Sequence, residues 1–449
     1  MLAGGLVYLL ANKKFKSPNK QRLIEGCGFA LIIVSIALFD ASSLWPGWCA
    51  LVPVVGTMLV LISARQGSLW TGSRIAQWLG NCSYSLYLWH WPFVVAIVYL
   101  QRQNQPKAIA IGLILTLLSG WLSYRLIETP ARTTLIKMKQ LNAAIVLLIA
   151  SLIVAIPSLF IQLQEGIPSR LPTQANVISH EVENVNPRRS ECHVSNSTPV
   201  PECTYGGKQL GVIVIGDSHA ASVIRSVEKA LPSTKFHVLD WTLSDCRTIA
   251  GIKDPNKSAY RCGTFINEML AKSLRLPKNV PLLIVNRTPF SAPNEPDRAH
   301  MLLMPPRYIH IAQEKWNDAF LQEMREGVID TACEFAKTRP VYMLRYIPEL
   351  IYNVPKTMGR SFLLEGESKR VSISLEEYHQ RHAFGWKSQD MAAERCGVKI
   401  LDPLPYLCHD GRCWGDVNGV PIYFDDDHLN ERGGSLLIPL FQQIFKQPN

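Results

Sequence analysis

Gly211-Val-Ile-Val-Ile-Gly-Asp-Ser-His-Ala220 is the stretch on which the reading of this chain turns. Four β-branched residues, Val212 to Ile215, run straight into Gly216-Asp217-Ser218-His219, and Ala220, Ala221, Val223 and Ile224 follow. A short continuous apolar run bounded by glycine predicts a buried strand, and the spacing after it predicts a helix. Ser218 would then stand at the carboxyl end of a strand and the amino end of a helix. Backbone N–H groups left open there can stabilise an oxyanion. An ordinary strand-turn-helix corner with a capping serine has the same pattern, so Ser218 alone decides little. A second stretch, Tyr423-Phe-Asp-Asp-Asp-His-Leu429, supplies Asp425 and His428, three positions apart. That offset in a loop lets one short segment present a carboxylate and an imidazole beneath a serine carried elsewhere. Asp426 and Asp427 are expected to be solvated loop residues near a helix amino end.

Around these two stretches the chain alternates. Strands are predicted at Phe236–Thr242, Pro281–Asn286, Val341–Ile347 and Val398–Leu401. Helices are predicted at Ala220–Ala230, Tyr260–Leu274, Ile309–Lys337, Leu375–Arg395 and Glu431–Phe445. Strand-helix alternation predicts an α/β three-layer domain with a parallel sheet covered on both faces. Its site is expected at the carboxyl ends of the strands, where Ser218 and Asn286 both fall. Trp241, Arg287 and Arg345 also end strands and are candidates to line an acceptor site. A surface salt bridge is an equal explanation for each arginine.

The first third of the chain has a different character. Of 46 Lys and Arg and 36 Asp and Glu, residues 1–140 hold 13 and 3, so the formal charge of +10 lies entirely there. The excess sits between apolar runs, which fits membrane topology and argues against nucleic acid. Leu2 to Ala11 is too short to cross a bilayer, which takes about 20 residues. Runs at Leu23 to Phe39, Gly47 to Ser63, Ser83 to Leu100, Ala108 to Tyr124 and Leu141 to Leu163 are each expected to span it. Residues 12–22 hold five basic side chains, Asp40 to Pro46 holds none, and Arg125, Arg132, Lys137 and Lys139 follow Tyr124. The positive-inside rule makes the first and last basic loops cytoplasmic and leaves everything after Leu163 outside. Cysteine usage agrees. Cys27, Cys49 and Cys82 lie in or beside apolar runs, and eight more lie later with no Cys-x-x-Cys pair. That pattern favours disulfides in an oxidising compartment over a metal site. Cys192 with Cys203, Cys246 with Cys262, and Cys408 with Cys413 are the candidate pairs. For Cys333 and Cys396 free thiols remain an alternative.

Gly216-Asp217-Ser218-His219 and Asp425-x-x-His428 resemble the nucleophile block and the closing block of SGNH (GDSL-like) hydrolases. The histidine after the serine is similar to SGNH domains fused to membrane acyltransferases. Ser83-Tyr-Ser-Leu-Tyr-Leu-Trp-His-Trp-Pro92 and Ile127-Glu-Thr-Pro-Ala-Arg132 resemble the last core spans of the acyltransferase-3 family. These resemblances imply a partial acyltransferase-3-like membrane domain over 1–140, a linking transmembrane helix over 141–163, a linker over 164–207 and an SGNH domain over 208–449. They imply Ser218 as nucleophile, His428 as general base and Asp425 as the group that orients the imidazole. Asn286 is the candidate oxyanion donor, although the family's Gly-x-Asn reads Ile284-Val285-Asn286 here. Gly251, distant in sequence from the second strand, is the candidate glycine donor. His90, ionisable within a span, and Glu128 are the membrane-domain candidates.

The expected activity is transfer of an acyl group, most simply acetyl, to a sugar hydroxyl of a cell-envelope polysaccharide or lipopolysaccharide. Acetyl-CoA is the donor the resemblance implies, and no bound cofactor or metal is expected. The expected setting is multi-pass in the inner membrane with the SGNH domain in the periplasm or outside. A carbohydrate O-acetylesterase and a membrane-anchored glycan-binding module with a vestigial triad are the alternatives. The resemblance also leads one to expect the family's earlier membrane spans upstream or on another polypeptide.

Overall fold

The computed structural model describes residues 7, 17–39, 47–65, 67–100, 102–164, 166–194, 200–255, 259–287, 307–312 and 317–446. It divides into two compact units, Met1–Gly166 and Ile167–Asn449. Apart from Val7, the Leu2 to Ala11 run lies outside the described residues, as do residues 40–46 of the connection that holds no basic side chain.

The first unit is helical, with α1 (Pro18–Leu38), α2 (Leu51–Ser63), α3 (Arg74–Tyr99), α4 (Pro106–Ser123), α5 (Thr129–Lys137) and α6 (Gln140–Leu163). Residues Tyr124–Glu128 form a π-helical turn that joins α4 to α5. Small residues let α1 and α2 approach closely, as a Cβ added to Gly28 would lie 2.6 Å from the Gly56 carbonyl oxygen. Arg65 and Glu25 close the same pair with a 2.7 Å ion pair.

Among the described residues, three helical stretches are long and apolar enough to cross a membrane: Pro18–Leu38, Pro106–Lys137 and Gln140–Leu163. Of the five runs expected to span, the other two lie outside that set. The helix at Trp48–Ser63 is short, since 16 helical residues reach only about 24 Å against a hydrocarbon core of about 30 Å. Helix α3 has the length, but Asn81, Ser83, Ser85 and His90 dilute its apolar character. His90 is exposed on α3. Glu128 accepts from Ser85 Oγ at 2.7 Å and pairs with Arg132 at 2.5 Å.

The second unit is built on a six-stranded sheet in the order β1-β3-β2-β4-β5-β7. Its strands are β1 (Cys203–Gly206), β2 (Gln209–Gly216), β3 (Phe236–Thr242), β4 (Leu282–Val285), β5 (Val341–Leu344) and β7 (Lys399–Leu401). Strands β2 to β7 of this sheet run parallel, while β1 pairs antiparallel with β3 at the edge. The sheet is thus mixed and mostly parallel. The helices are α7 (Thr173–His180), α8 (Arg189–Cys192), α9 (Ser218–Ala230), α10 (Cys262–Ser273), α11 (Asp318–Ala336), α12 (Val354–Glu365), α13 (Leu375–Cys396), α14 (Leu404–Leu407), α15 (Glu431–Leu436) and α16 (Ile438–Phe441).

Strand β2 explains the layering. Val212 and Val214 point into one apolar core with Val223 and Ile224 of α9 and Phe441 of α16. Ile213 and Ile215 point into the other, with Ile266 of α10 and Phe320, Met324 and Phe335 of α11. Alternation along a strand sends neighbours to opposite faces, so a continuous apolar run is what a doubly covered strand requires.

Several predicted boundaries move. The stretch 164–207, read as a linker, carries α7, α8 and β1, and Ala175, Ile178, Cys192 and Tyr205 are buried. The helix expected from Ile309 begins at Asp318, where the Asn317 side chain accepts from Phe320 N–H at 2.8 Å. Tyr308 instead pairs with Lys253 in an antiparallel bridge. The terminal helix is broken before Ile438-Pro439, because Pro439 brings no N–H to continue it. Strands β6 (Ser372–Ser374), β8 (Cys408–His409) and β9 (Arg412–Trp414) form a separate small sheet in the order β6-β9-β8. Four disulfides tie the unit together: Cys192–Cys203, Cys246–Cys262, Cys333–Cys396 and Cys408–Cys413. Cys27, Cys49 and Cys82 of the helical unit are free.

Candidate active site

The end of β2 is tightly constrained. Gly216 has φ +157°, and a Cβ there would sit 1.7 Å from the Val285 carbonyl oxygen, so only glycine lets β2 pass β4 at this point. Asp217 caps α9 and bridges two strand ends. One carboxylate oxygen accepts from His219 N–H at 2.9 Å and the other from Arg287 N–H at 2.8 Å. Ser218 is the first residue of α9, so its own N–H has no intrahelical partner.

The second arm is a compact turn. Tyr423 and Leu429 pair across its base, and Phe424 N–H donates to His428 O at 3.1 Å. Asp425 Oδ1 accepts from the N–H groups of Asp427 at 3.0 Å and His428 at 2.8 Å, folding the acidic run back on itself. Its other oxygen lies 2.8 Å from His428 Nδ1. His428 Nε2 in turn lies 2.7 Å from Ser218 Oγ. Ser218, His428 and Asp425, singled out from two distant stretches, thus form one hydrogen-bonded line. With carboxylate at Nδ1, the neutral imidazole carries its proton there and leaves Nε2 to accept from the serine hydroxyl.

Asp427 departs from its sequence reading. It is buried, not solvated, at 5% exposure, because the turn around Asp425 directs it inward. Its Oδ1 lies 2.7 Å from His428 Nδ1, so the imidazole faces two carboxylates. Its Oδ2 lies 3.0 Å from Arg287 Nη2 and 3.7 Å from His219 Nε2. Arg287 continues to Glu349 at 2.8 Å, and Glu349 to Arg381 at 2.7 Å. Ser218, His428, Asp427, Arg287, Glu349 and Arg381 therefore form a line of alternating charge. Burial disfavours the charged imidazole of His428, but Asp425 and Asp427 override it and raise the group to about 10. Burial likewise opposes the Asp427 carboxylate, yet His219 and His428 hold it well below the usual range. Glu349, pushed up by burial, is brought down to about 2 by Arg287 and Arg381. Asp426 is half-buried, and burial together with Asp427 and Asp425 raises its carboxyl.

His219, the residue after the serine, is buried at 1% exposure with its ring 4.6 Å from that of His428. Neither of its ring nitrogens has a hydrogen-bond partner among the described residues. His219, Asp427 and His428 offer ligand atoms within 4.8 Å of one another. The Arg287 guanidinium already occupies Asp427 Oδ2, so this cluster is charge-balanced and a dication would have to displace it.

The oxyanion candidates lie differently. Asn286 follows β4, but its amide ties down a neighbouring loop, with Oδ1 accepting from Thr248 N–H at 3.2 Å and Nδ2 donating to Cys246 O at 3.3 Å. Gly251 donates its N–H to Gly263 O at 3.3 Å. Among the acceptor-site candidates, Trp241 is buried, and Arg345 pairs with Asp390 while stacking 4.3 Å from the Trp386 ring. A cavity lined by Arg247, Thr248, Asn286, Arg287, Tyr346 and Gln389 opens at the carboxyl ends of β4 and β5. Sequence reasoning missed Asp427, Arg287 as its partner, and Glu349. The available signal was the run of three acids immediately before His428.

Comparison with known proteins follows the same division. Residues 191–443 match the family described as SGNH domain (fused to AT3 domains), and residues 1–125 match the family described as Acyltransferase domain. The chain is similar to the O-acetyltransferase OatA of Staphylococcus aureus, 30% identical over 112 residues, 23% of this chain and 19% of that protein. It is also similar to the putative peptidoglycan O-acetyltransferase YrhL of Bacillus subtilis, 28% identical over 134 residues, 28% of this chain and 21% of that protein. The chain therefore aligns with about a fifth of the length of these curated relatives. Among solved structures, the periplasmic domain of a lipopolysaccharide acetyltransferase from Salmonella ser. Paratyphi A aligns at TM-score 0.40 and 13% identity, over 62% of this chain and 99% of that one.

Proposed function

Because the chain belongs to the family of SGNH domains fused to acyltransferase-3 domains, we propose that it is a membrane-bound O-acyltransferase acting on a glycan hydroxyl. The observation that carries this reading is the line from Ser218 Oγ through His428 to Asp425, with spacings of 2.7 and 2.8 Å. Ser218 Oγ attacks the carbonyl of an activated acyl donor as its proton passes to His428 Nε2. The leaving group departs with that proton, and an acyl-serine remains. A sugar hydroxyl then attacks, giving its proton to His428, and collapse returns the proton to Ser218 Oγ. The N–H of Ser218 at the start of α9 is the donor best placed for the oxyanion.

Acetyl is the acyl group suggested by the curated relatives, and acetyl-CoA is the donor that the acyltransferase-3 resemblance implies. A cell-envelope polysaccharide is the acceptor class. Three apolar helices, basic flanking loops and four disulfides support a multi-pass inner-membrane protein whose SGNH domain lies outside the cytoplasm.

The test uses the detergent-solubilised full chain, a labelled acetyl ester, and cell-envelope glycan as acceptor. Label on the glycan that disappears in Ser218→Ala supports transfer. Release of acetate at a rate indifferent to glycan would make the protein an esterase. Glycan binding without turnover would make the triad vestigial.

A further inference from the structure

We propose that Arg189 and His193 form an acceptor subsite for a saccharide that carries an oxyanion, a carboxylate or a phosphate, beside the hydroxyl that is acylated. The inference rests on the acyl-transfer reading of the site and names its substrate class.

Both residues come from the segment that enters the second unit ahead of β1, and the Cys192–Cys203 disulfide pins them there. The Arg189 guanidinium lies 4.7 Å from the centroid of the Phe424 ring. Phe424 stacks on His428 with centroids 5.2 Å apart and planes 12° apart. Three planar groups thus lead from Arg189 to the imidazole that holds Ser218. Arg189 is half-buried, yet among the described residues its side chain has neither an ion pair nor a hydrogen bond. Its neighbours in the site differ. Arg188 is taken up by Glu191 and the Thr204 carbonyl, Arg287 by Glu349 and Asp427, and Arg432 by Glu181. A guanidinium stacked on an aromatic ring keeps its edge donors free, and that edge matches a carboxylate or phosphate bidentately.

His193 complements it. Its Nδ1 is buried without a hydrogen-bond partner among the described residues. Burial, then the charges of Arg189 and His428, lower the imidazole to about 4, so near neutral pH it offers one donor and one acceptor rather than a charge. That combination suits a sugar hydroxyl beside the anion. Asp425 and Asp427 are turned to His428 and Arg287, and Glu191 to Arg188.

The experiment is equilibrium binding to the full chain carrying Ser218→Ala, which removes turnover. The ligands are three matched disaccharides containing glucose, glucuronate or glucose 6-phosphate. The anionic sugars should bind about tenfold tighter than the neutral one, with the difference shrinking as salt rises. The two anionic arms distinguish carboxylate from phosphate as the natural group. Arg189→Gln should erase the difference, Arg189→Lys should keep part of it, and Arg395→Gln, remote in the α11–α13 ion pairs, should keep all of it. Equal affinity for all three sugars, absence of binding, or a preference that survives Arg189→Gln would overturn the inference. Retained turnover in Ser218→Ala, read in the transfer assay, would instead overturn the acyl-transfer reading on which it rests.

Discussion

Replacing Asp427 by asparagine should move the pH dependence of turnover toward acid. His428 faces two carboxylates at 2.8 and 2.7 Å and is raised to about 10, so at about pH 8 only about 1% of it is the neutral base. One opposite charge at this range shifts a pKa by about 1–3 units, so removing Asp427 should lower His428 by about two. The neutral fraction at about pH 8 then rises roughly fiftyfold, while the weaker base costs roughly tenfold in proton transfer. The net expectation is about a fivefold gain in kcat/KM near pH 8 and about a tenfold loss above pH 10. The assay is hydrolysis of 4-nitrophenyl acetate by the full chain across that range, with the Ser218→Ala rate subtracted at each pH. Stability supplies a second readout. A proton held with a raised pKa stabilises the fold fully below about 6.5, and this stabilisation is lost as pH rises through about 10. Thermal stability should therefore fall over that interval in the parent chain and fall less in Asp427→Asn. A rising limb that stays in place or moves to higher pH in the variant would refute the two-carboxylate account of His428.

Other consequences concern stability and the compartment. Glu349→Gln leaves Arg287 and Arg381 without their shared buried carboxylate and should cost about 3–5 kcal/mol, read as a lowered melting temperature of the full chain. Because Glu349 is held at about 2, its stabilising effect should persist at neutral pH and fade as pH falls from about 4.5 toward 2. Replacing Cys333 and Cys396 by serine opens a link between residues 63 apart and should cost about 4 kcal/mol in the same measurement. Peptide mapping of unreduced protein should recover all four disulfide pairs, and alkylation of those eight cysteines before reduction would contradict an oxidising compartment.

What could be read from the residues follows physical range. The β2 run, its glycine and Ser218 were legible because strand, close approach and helix start are set within ten residues. The meeting of Ser218 with His428 was legible only through motif resemblance, since no local rule brings residues 210 apart together. Asp427 was misread because its burial depends on Asp425 Oδ1 capturing two backbone N–H groups, which turns the next side chain inward. Strand β1 looked like linker because four residues of mixed polarity carry little pattern, and its place comes from pairing with the edge of β3. Asn286 was expected to point its amide at the reacting centre. In the structure the amide also holds the 246–248 loop, its Oδ1 accepting from Thr248 N–H and one of its two N–H groups donating to Cys246 O.

The measurement closest to the central claim is covalent labelling of the full chain with a fluorophosphonate, followed by mapping of the modified peptide. The account predicts one label per chain, on Ser218, lost in His428→Ala because the hydroxyl then has no base. Labelling at Ser222 or Ser244 instead, or labelling of Ser218 that is indifferent to His428→Ala, would contradict it.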